Sequence, residues 1–157
     1  MTLGFKVSGR IARPVGEVFD AVVNPKKLSA YFTTIKGASA PIVEGTTVVW
    51  WGEVPVGVEE VRKDSLIVLG WDGGGKPGIR TRIKMNFEPL EDGATFVSIA
   101  ESGWNEDELG RKRSYLNCEG WSQMLACMKA WLEYGINLRE GYYRSELKGE
   151  PAREGNI

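Results

Sequence analysis

Between Thr46 and Glu101 the chain is a series of short segments rich in β-branched and aromatic residues: 46–53, 56–62, 65–71, 80–89 and 95–101. They are parted by turn chemistry at Val54-Pro55, Lys63-Asp64, Asp72 to Gly78 and Glu91-Asp92-Gly93. Links so short cannot carry a crossover helix, so the strands they join are antiparallel neighbours. Upstream, Phe5, Val7 and Ile11 alternate with Lys6, Ser8 and Arg10 in the period of a half-buried strand. Arg13-Pro14 then sets a helix start, and Val15, Val18, Phe19 and Val22 fall on one helical face. Asn24-Pro25 ends that helix and begins a second short one with Leu28, Tyr31 and Phe32 inward, after which residues 37–45 read as a connection. Downstream, Asn105-Glu106-Asp107-Glu108 supplies an N-cap and acids for a helix start, with Gly110 a candidate break before the main helix. From Arg111 to about Arg139, Cys118, Trp121, Leu125, Met128, Leu132 and Ile136 recur at spacings of three and four, the stripe of a long amphipathic helix. The expected class is α+β: a curved antiparallel sheet around a long C-terminal helix, with two short helices after the first strand.

With 157 residues, 42% of them apolar, the chain suits one domain with its own core. The expected domain is 1–144, followed by a polar, mobile tail over 145–157 whose only apolar residues larger than alanine are Leu147 and Ile157. Twenty Lys plus Arg against twenty-one Asp plus Glu give a net charge of −1, which supplies no field to attract nucleic acid or an anionic membrane. The absence of histidine removes the imidazole base of Ser-His-Asp and Cys-His catalysis and the histidine-bearing metal sites, so any chemistry runs on carboxylates, Tyr, Lys or thiols. No cofactor and no metal are expected. Cys118 and Cys127 are separated by ~2.5 helical turns and ~13 Å on opposite faces, too far to pair. Free thiols, an N-terminus without a signal-peptide apolar stretch, and Thr2 where myristoylation needs glycine give an expected cytoplasmic location. No apolar run approaches the ~20 residues of a membrane span.

The order of elements is that of the helix-grip fold. Four ordered motifs, Ile11-Ala12-Arg13-Pro14-Val15 with Val18-Phe19-Asp20-Ala21, Asn24-Pro25 with Leu28 and Tyr31-Phe32, Glu101-Ser102-Gly103-Trp104, and Gly120-Trp121 with Met124-Leu125, resemble one branch of the SRPBCC (START and birch-pollen-allergen-like) superfamily. That branch is named for the activator of heat-shock-protein-90 ATPase and its homologues. The resemblance covers roughly residues 5 to 135. It implies the START-like helix-grip fold, which hosts lipid carriers, hormone receptors, cyclases and chaperone partners alike. Tyr31 stands where this branch more often has Trp, and the helix is expected to run past the family's usual end. The named activator carries an additional N-terminal docking domain for which these 157 residues leave no room, so stimulation of the chaperone by this chain alone is not expected. A contact through Arg111-Lys112-Arg113 and a homodimer are carried as further partner alternatives.

Strict alternation from Thr81 to Phe87 points Ile83, Met85 and Phe87 inward, and in the next strand the parity of Val97 and Ile99 also turns Glu101 inward. A carboxylate ending a core-facing row must be hydrogen-bonded, wet or neutralised. It reads either as a rim glutamate reaching an arginine such as Arg80 or Arg113, or as the polar anchor of a cavity. Trp71, Trp104 and Trp121 are ordinary core fillers or, with Met85, Met124 and Met128, the adaptable wall of a pocket. Tyr31 and Phe32 complete the expected ligand-binding set. The function expected from these residues is binding or transport of a small hydrophobic or amphipathic ligand in an internal cavity, without catalysis. The alternative is a cyclase or aldol-type enzyme with Glu101 as base and Tyr115 or Tyr31 as acid. Residues 71–78 superficially suggest a phosphate loop, but Lys76 precedes a proline and strand rather than Ser or Thr and a helix, so the segment reads as a flexible hairpin able to act as a lid. Val48-Val49-Trp50-Trp51 is apolar on both faces, and parity leaves open which tryptophan faces the core. The outer one would be covered by the tail, mark a dimer contact, or stand as an isolated surface aromatic. Glu59-Glu60 and Glu17 with Asp20 read as solvated surface.

Overall fold

A computed structural model describes residues 2–72 and 78–144. Its elements run β1 (Thr2–Ile11), α1 (Val15–Val23), α2 (Pro25–Tyr31), β2 (Thr47–Trp50), β3 (Val54–Arg62), β4 (Leu66–Trp71), β5 (Thr81–Pro89), β6 (Thr95–Asn105) and α3 (Glu108–Tyr134). The six strands form one antiparallel sheet in the order β1-β6-β5-β4-β3-β2. The meander β2 to β6 follows from its short links, and β1 returns to pair with the last strand. α3 packs against β1 and β6, and α1 packs against β5. This is the helix-grip arrangement expected from the sequence.

Alternation decides the inner face. In β5, Thr81, Ile83, Met85 and Phe87 are buried while Arg82, Lys84 and Asn86 are exposed. In β6, Thr95, Val97, Ile99 and Glu101 are buried. The register sets Ile83 opposite Glu101, and Glu101 opposite Phe5 of β1. Caps fix the helices: the Asn24 side chain accepts from the Lys26 and Lys27 N–H groups at 3.0 and 3.3 Å, with Pro25 in the first turn of α2. Asp107 accepts from Gly110 N–H at 2.7 Å at the start of α3.

Several expectations are corrected. Gly110 does not break the helix; it lies in the first turn of α3, where a Cβ would come within 1.9 Å of the Asn105 carbonyl oxygen, so only glycine lets β6 pass so directly into the helix. The helix stops at Tyr134, capped by left-handed Gly135, rather than running to Arg139. Ile136 and Leu138 are therefore outside it and 53% and 48% exposed. Cys118 is only half-buried, because the buried face is centred on Asn117, Trp121, Met124 and Met128; no disulfide joins it to Cys127. Glu133 accepts the Ala12 N–H at 2.9 Å and pairs with Lys129, tying the end of α3 to the chain after β1. β2 ends at Trp50, which is fully buried, while Trp51 occupies a positive-φ turn and packs on Phe32 at 5.1 Å rather than lying on the outer face. Glu17, Asp20, Glu59 and Glu60 sit at the surface and pair with Arg13, Lys27, Arg82 and Arg62. Exposed pairs of this kind each contribute about 0–1 kcal/mol. Of the expected lid at 71–78, residues 73–77 lie outside the described residues, as does the tail 145–157.

Candidate ligand-binding site

Glu101 is 1% exposed, although no cation among the described residues is bonded to it. Its Oε1 accepts from Trp121 Nε1 at 2.7 Å and Asn117 Nδ2 at 3.1 Å; its Oε2 accepts from Trp71 Nε1 at 2.8 Å, Thr81 Oγ1 at 2.6 Å and Asn117 Nδ2 at 3.2 Å. Local structure explains the convergence. Trp71 and Thr81 are register partners at the facing ends of β4 and β5, and Asn117 and Trp121 are one helical turn apart on α3. Burial pushes the Glu101 carboxyl above its ordinary value, and the bonds from Thr81, Trp71, Trp121 and Asn117 pull back part of that rise. Neither Arg80 nor Arg113 is among its partners; Arg80 lies 3.7 Å from Asp72 at the surface.

Around this carboxylate the aromatic rings form one shell. Trp121 lies 5.5 Å from Trp71 and stacks on Phe32 at 5.6 Å, and Trp50 meets Trp71 at 5.9 Å and Phe32 at 5.7 Å. From the segment after α3, the Arg139 side chain inserts with its guanidinium 5.4 Å from the Phe32 ring, 5.7 Å from Trp51 and 4.5 Å from Tyr143. It is 2% exposed.

Of the residues expected at a ligand site, Phe32, Trp71, Glu101 and Trp121 come together in this shell. Met85, Met124 and Met128 are buried in the same core. Tyr31 is also buried, but its hydroxyl donates to the Ala21 carbonyl at 3.1 Å and its ring stacks on Trp131, so it is held by α1 and the far end of α3. Trp104 is buried apart from the shell, stacked on Phe5 at 5.7 Å. Tyr115 is 71% exposed, on the solvent side of α3, so the structure does not bring it to Glu101. Sequence reasoning missed Thr81, Asn117, Trp50 and Arg139. The first had a signal, since it continues the inward row of Ile83, Met85 and Phe87; the second lies one turn before Trp121.

Buried polar atoms without a hydrogen-bond partner among the described residues include Trp50 Nε1, Asn117 Oδ1 and Trp104 Nε1. Among the described residues no three metal-ligating side chains converge, and no helix is long and apolar enough to cross a membrane.

The family model described as Activator of Hsp90 ATPase homolog 1-like protein matches residues 12–133. Among solved structures, the protein SSP2350 from Staphylococcus saprophyticus is similar at 25% identity and a TM-score of 0.71, over 87% of this chain and 96% of that one. The Aha1 dimer from Colwellia psychrerythraea shares 18% identity at a TM-score of 0.67, over 85% and 98%. An HSP90 activator from Plasmodium falciparum, PFC0360w, shares 16% identity at a TM-score of 0.68, over 85% and 96%. No curated protein matches the chain. With the family match spanning most of the sequence and the overall fold similar to these structures, the chain belongs to the activator of Hsp90 ATPase homolog 1-like branch of the SRPBCC superfamily.

Proposed function

We propose that this protein binds a small hydrophobic or amphipathic molecule between α3 and the concave face of the sheet, without covalent chemistry. The observation that carries the reading is the Glu101 centre: a carboxylate held by neutral donors inside an aromatic shell, to which Asn117 and Trp50 each bring an unmet polar atom. An interior selected for stability alone gains nothing from such a group, because taking a carboxylate out of water costs several kcal/mol and well-packed apolar residues do as well or better. A polar anchor in an apolar surround is what an amphipathic ligand needs for orientation. The enzyme alternative is weaker on geometry. A general base needs an oxygen open to the substrate proton, whereas both oxygens of Glu101 are occupied, and neither Tyr31 nor Tyr115 bonds to it.

The experiment is native mass spectrometry after incubation with an apolar cell extract. One small molecule retained per chain is the expected result; the bare-chain mass throughout would count against the reading. A second reading, contact with the Hsp90 chaperone, is supported by the family description and by the likeness to the Plasmodium activator. Strong stimulation of chaperone ATPase by this chain alone would place that reading first. The Colwellia dimer supports a second copy of the chain as a further partner, and the lack of a disulfide between Cys118 and Cys127 supports a cytoplasmic location.

A further inference from the structure

Trp50, Trp71, Trp121 and Phe32 are fully buried and packed ring against ring, so a molecule that reaches them needs part of the chain to move. The segment after α3 has the features of such a part. Among residues 135–144 only Arg139 and Tyr143 are buried, while Ile136, Leu138 and Tyr142 are 53%, 48% and 58% exposed. The usual order is inverted, with a guanidinium inside and its leucine neighbour facing water. Taking a cation out of water is costly, and a segment selected to stay down permanently gains more by burying the leucine.

Gly135 and Gly141 bracket residues 136–140. Both have left-handed backbone at φ 68°, and an added Cβ would meet nothing within 4 Å, so glycine serves backbone conformation there and not close packing. Beyond Gly141 the chain is pinned again, since the Gln123 side chain of α3 donates to the Tyr142 hydroxyl at 3.0 Å and accepts from that of Tyr143. Residues 136–140 therefore form an arch between two hinges, and Arg139 is its one buried side chain, held over the Phe32, Trp51 and Tyr143 rings. Phe32 in turn stacks on Trp121 and meets Trp50 edge-on, so the guanidinium rests on the shell itself. The arch is not tightly seated: a pocket of about 100 Å³ remains between it and α3, walled by Ala126, Cys127, Leu138 and Tyr142 among others. We infer that residues 136–140 are the gate of the interior, swinging about Gly135 and Gly141, with Arg139 as the latch whose withdrawal uncovers Phe32 and admits the ligand. The inference rests on the binding function proposed above and adds its route of entry.

Cys127 reports the state of the gate, because it is 5% exposed beneath the arch and a bulky maleimide exceeds the pocket beside it. The test uses a Cys118→Ser background, which removes the half-buried second thiol. Labelling of Cys127 in the native protein is expected at a rate that hardly changes in low urea, the mark of a local opening rather than of global unfolding. Arg139→Ala should speed that labelling by at least about tenfold, the scale of one or two lost cation–ring contacts, with Arg139→Lys in between. The association rate of an uncharged apolar fluorophore, followed by stopped flow through tryptophan emission, should rise in the same order. Unchanged labelling in Arg139→Ala, or faster labelling with unchanged fluorophore association, overturns the gate and leaves ligand binding standing. Failure of the fluorophore to bind the parent and both variants overturns the binding function and the gate with it. Where Arg139→Ala does not fold, the parent decides: Cys127 labelling that rises with urea as steeply as global unfolding overturns the gate.

Discussion

Glu101→Leu is expected to destabilise the protein by about 3 kcal/mol or more in chemical denaturation, despite removing a buried charge. The reason is the accounting of donors. Leucine fills a similar volume, but the Trp71 and Trp121 indole N–H groups, the Thr81 hydroxyl and the Asn117 amide lose their acceptor together. Each orphaned buried donor costs about 1–3 kcal/mol, and relief of the carboxylate's desolvation offsets part of the sum. Adding Thr81→Val should recover a fraction, because it removes one of the orphans. The effect also depends on pH. The folded protein holds the Glu101 proton more tightly than the unfolded chain, whose value is near 4.5. The parent's advantage over Glu101→Leu is therefore greatest below that value and shrinks as pH rises through the raised folded value. A difference under about 1 kcal/mol, or one that grows with pH across that window, would mean that the donors have other partners or that the carboxylate is not desolvated.

Trp121→Ala is expected to cost about 5 kcal/mol, at the upper end of aromatic truncations. Its ring is fully buried, stacks on Phe32, and meets both Trp71 and Trp50. The substitution also takes from Glu101 its shortest Oε1 bond, at 2.7 Å. Alanine cannot fill the space, since rigid sheet strands lie on one side and the helix backbone on the other. Truncating the half-buried Trp131, which stacks on Tyr31, should cost clearly less. An effect of Trp121→Ala below about 1 kcal/mol would show that α3 does not present this face to the sheet.

How far the site was legible depended on whether its residues obey a period. Glu101 could be found because Val97 and Ile99 set a parity that no turn interrupts, and Trp121 because it heads an apolar row at helical spacing. Asn117 sits one turn earlier on the same face, but a polar residue at a buried position is silent in a hydrophobic pattern, and only the carboxylate opposite explains it. Trp104 shows the opposite hazard. Counting by twos from Glu101 turns it outward; a β-bulge around Gly103, at φ 129°, where a Cβ would also press on the Arg80 carbonyl at 2.8 Å, restores it to the Leu3 side. It therefore lies inside, stacked on Phe5 and away from Trp121. The insertion of Arg139 over Phe32 had no sequence signal, because it depends on the helix ending at Gly135 and the chain folding back. Fold class and element order were legible because alternation, turn residues and caps agree along most of the chain.

The most direct measurement is a titration of the intact protein with an uncharged apolar fluorophore at neutral pH, followed through tryptophan emission. Trp50, Trp71 and Trp121 surround the proposed site, so a ligand entering between α3 and the sheet must perturb them. The account predicts saturable binding of one molecule per chain with a micromolar Kd and a clear change in tryptophan intensity or wavelength. Tryptophan emission unchanged up to the solubility limit of several such fluorophores would contradict it.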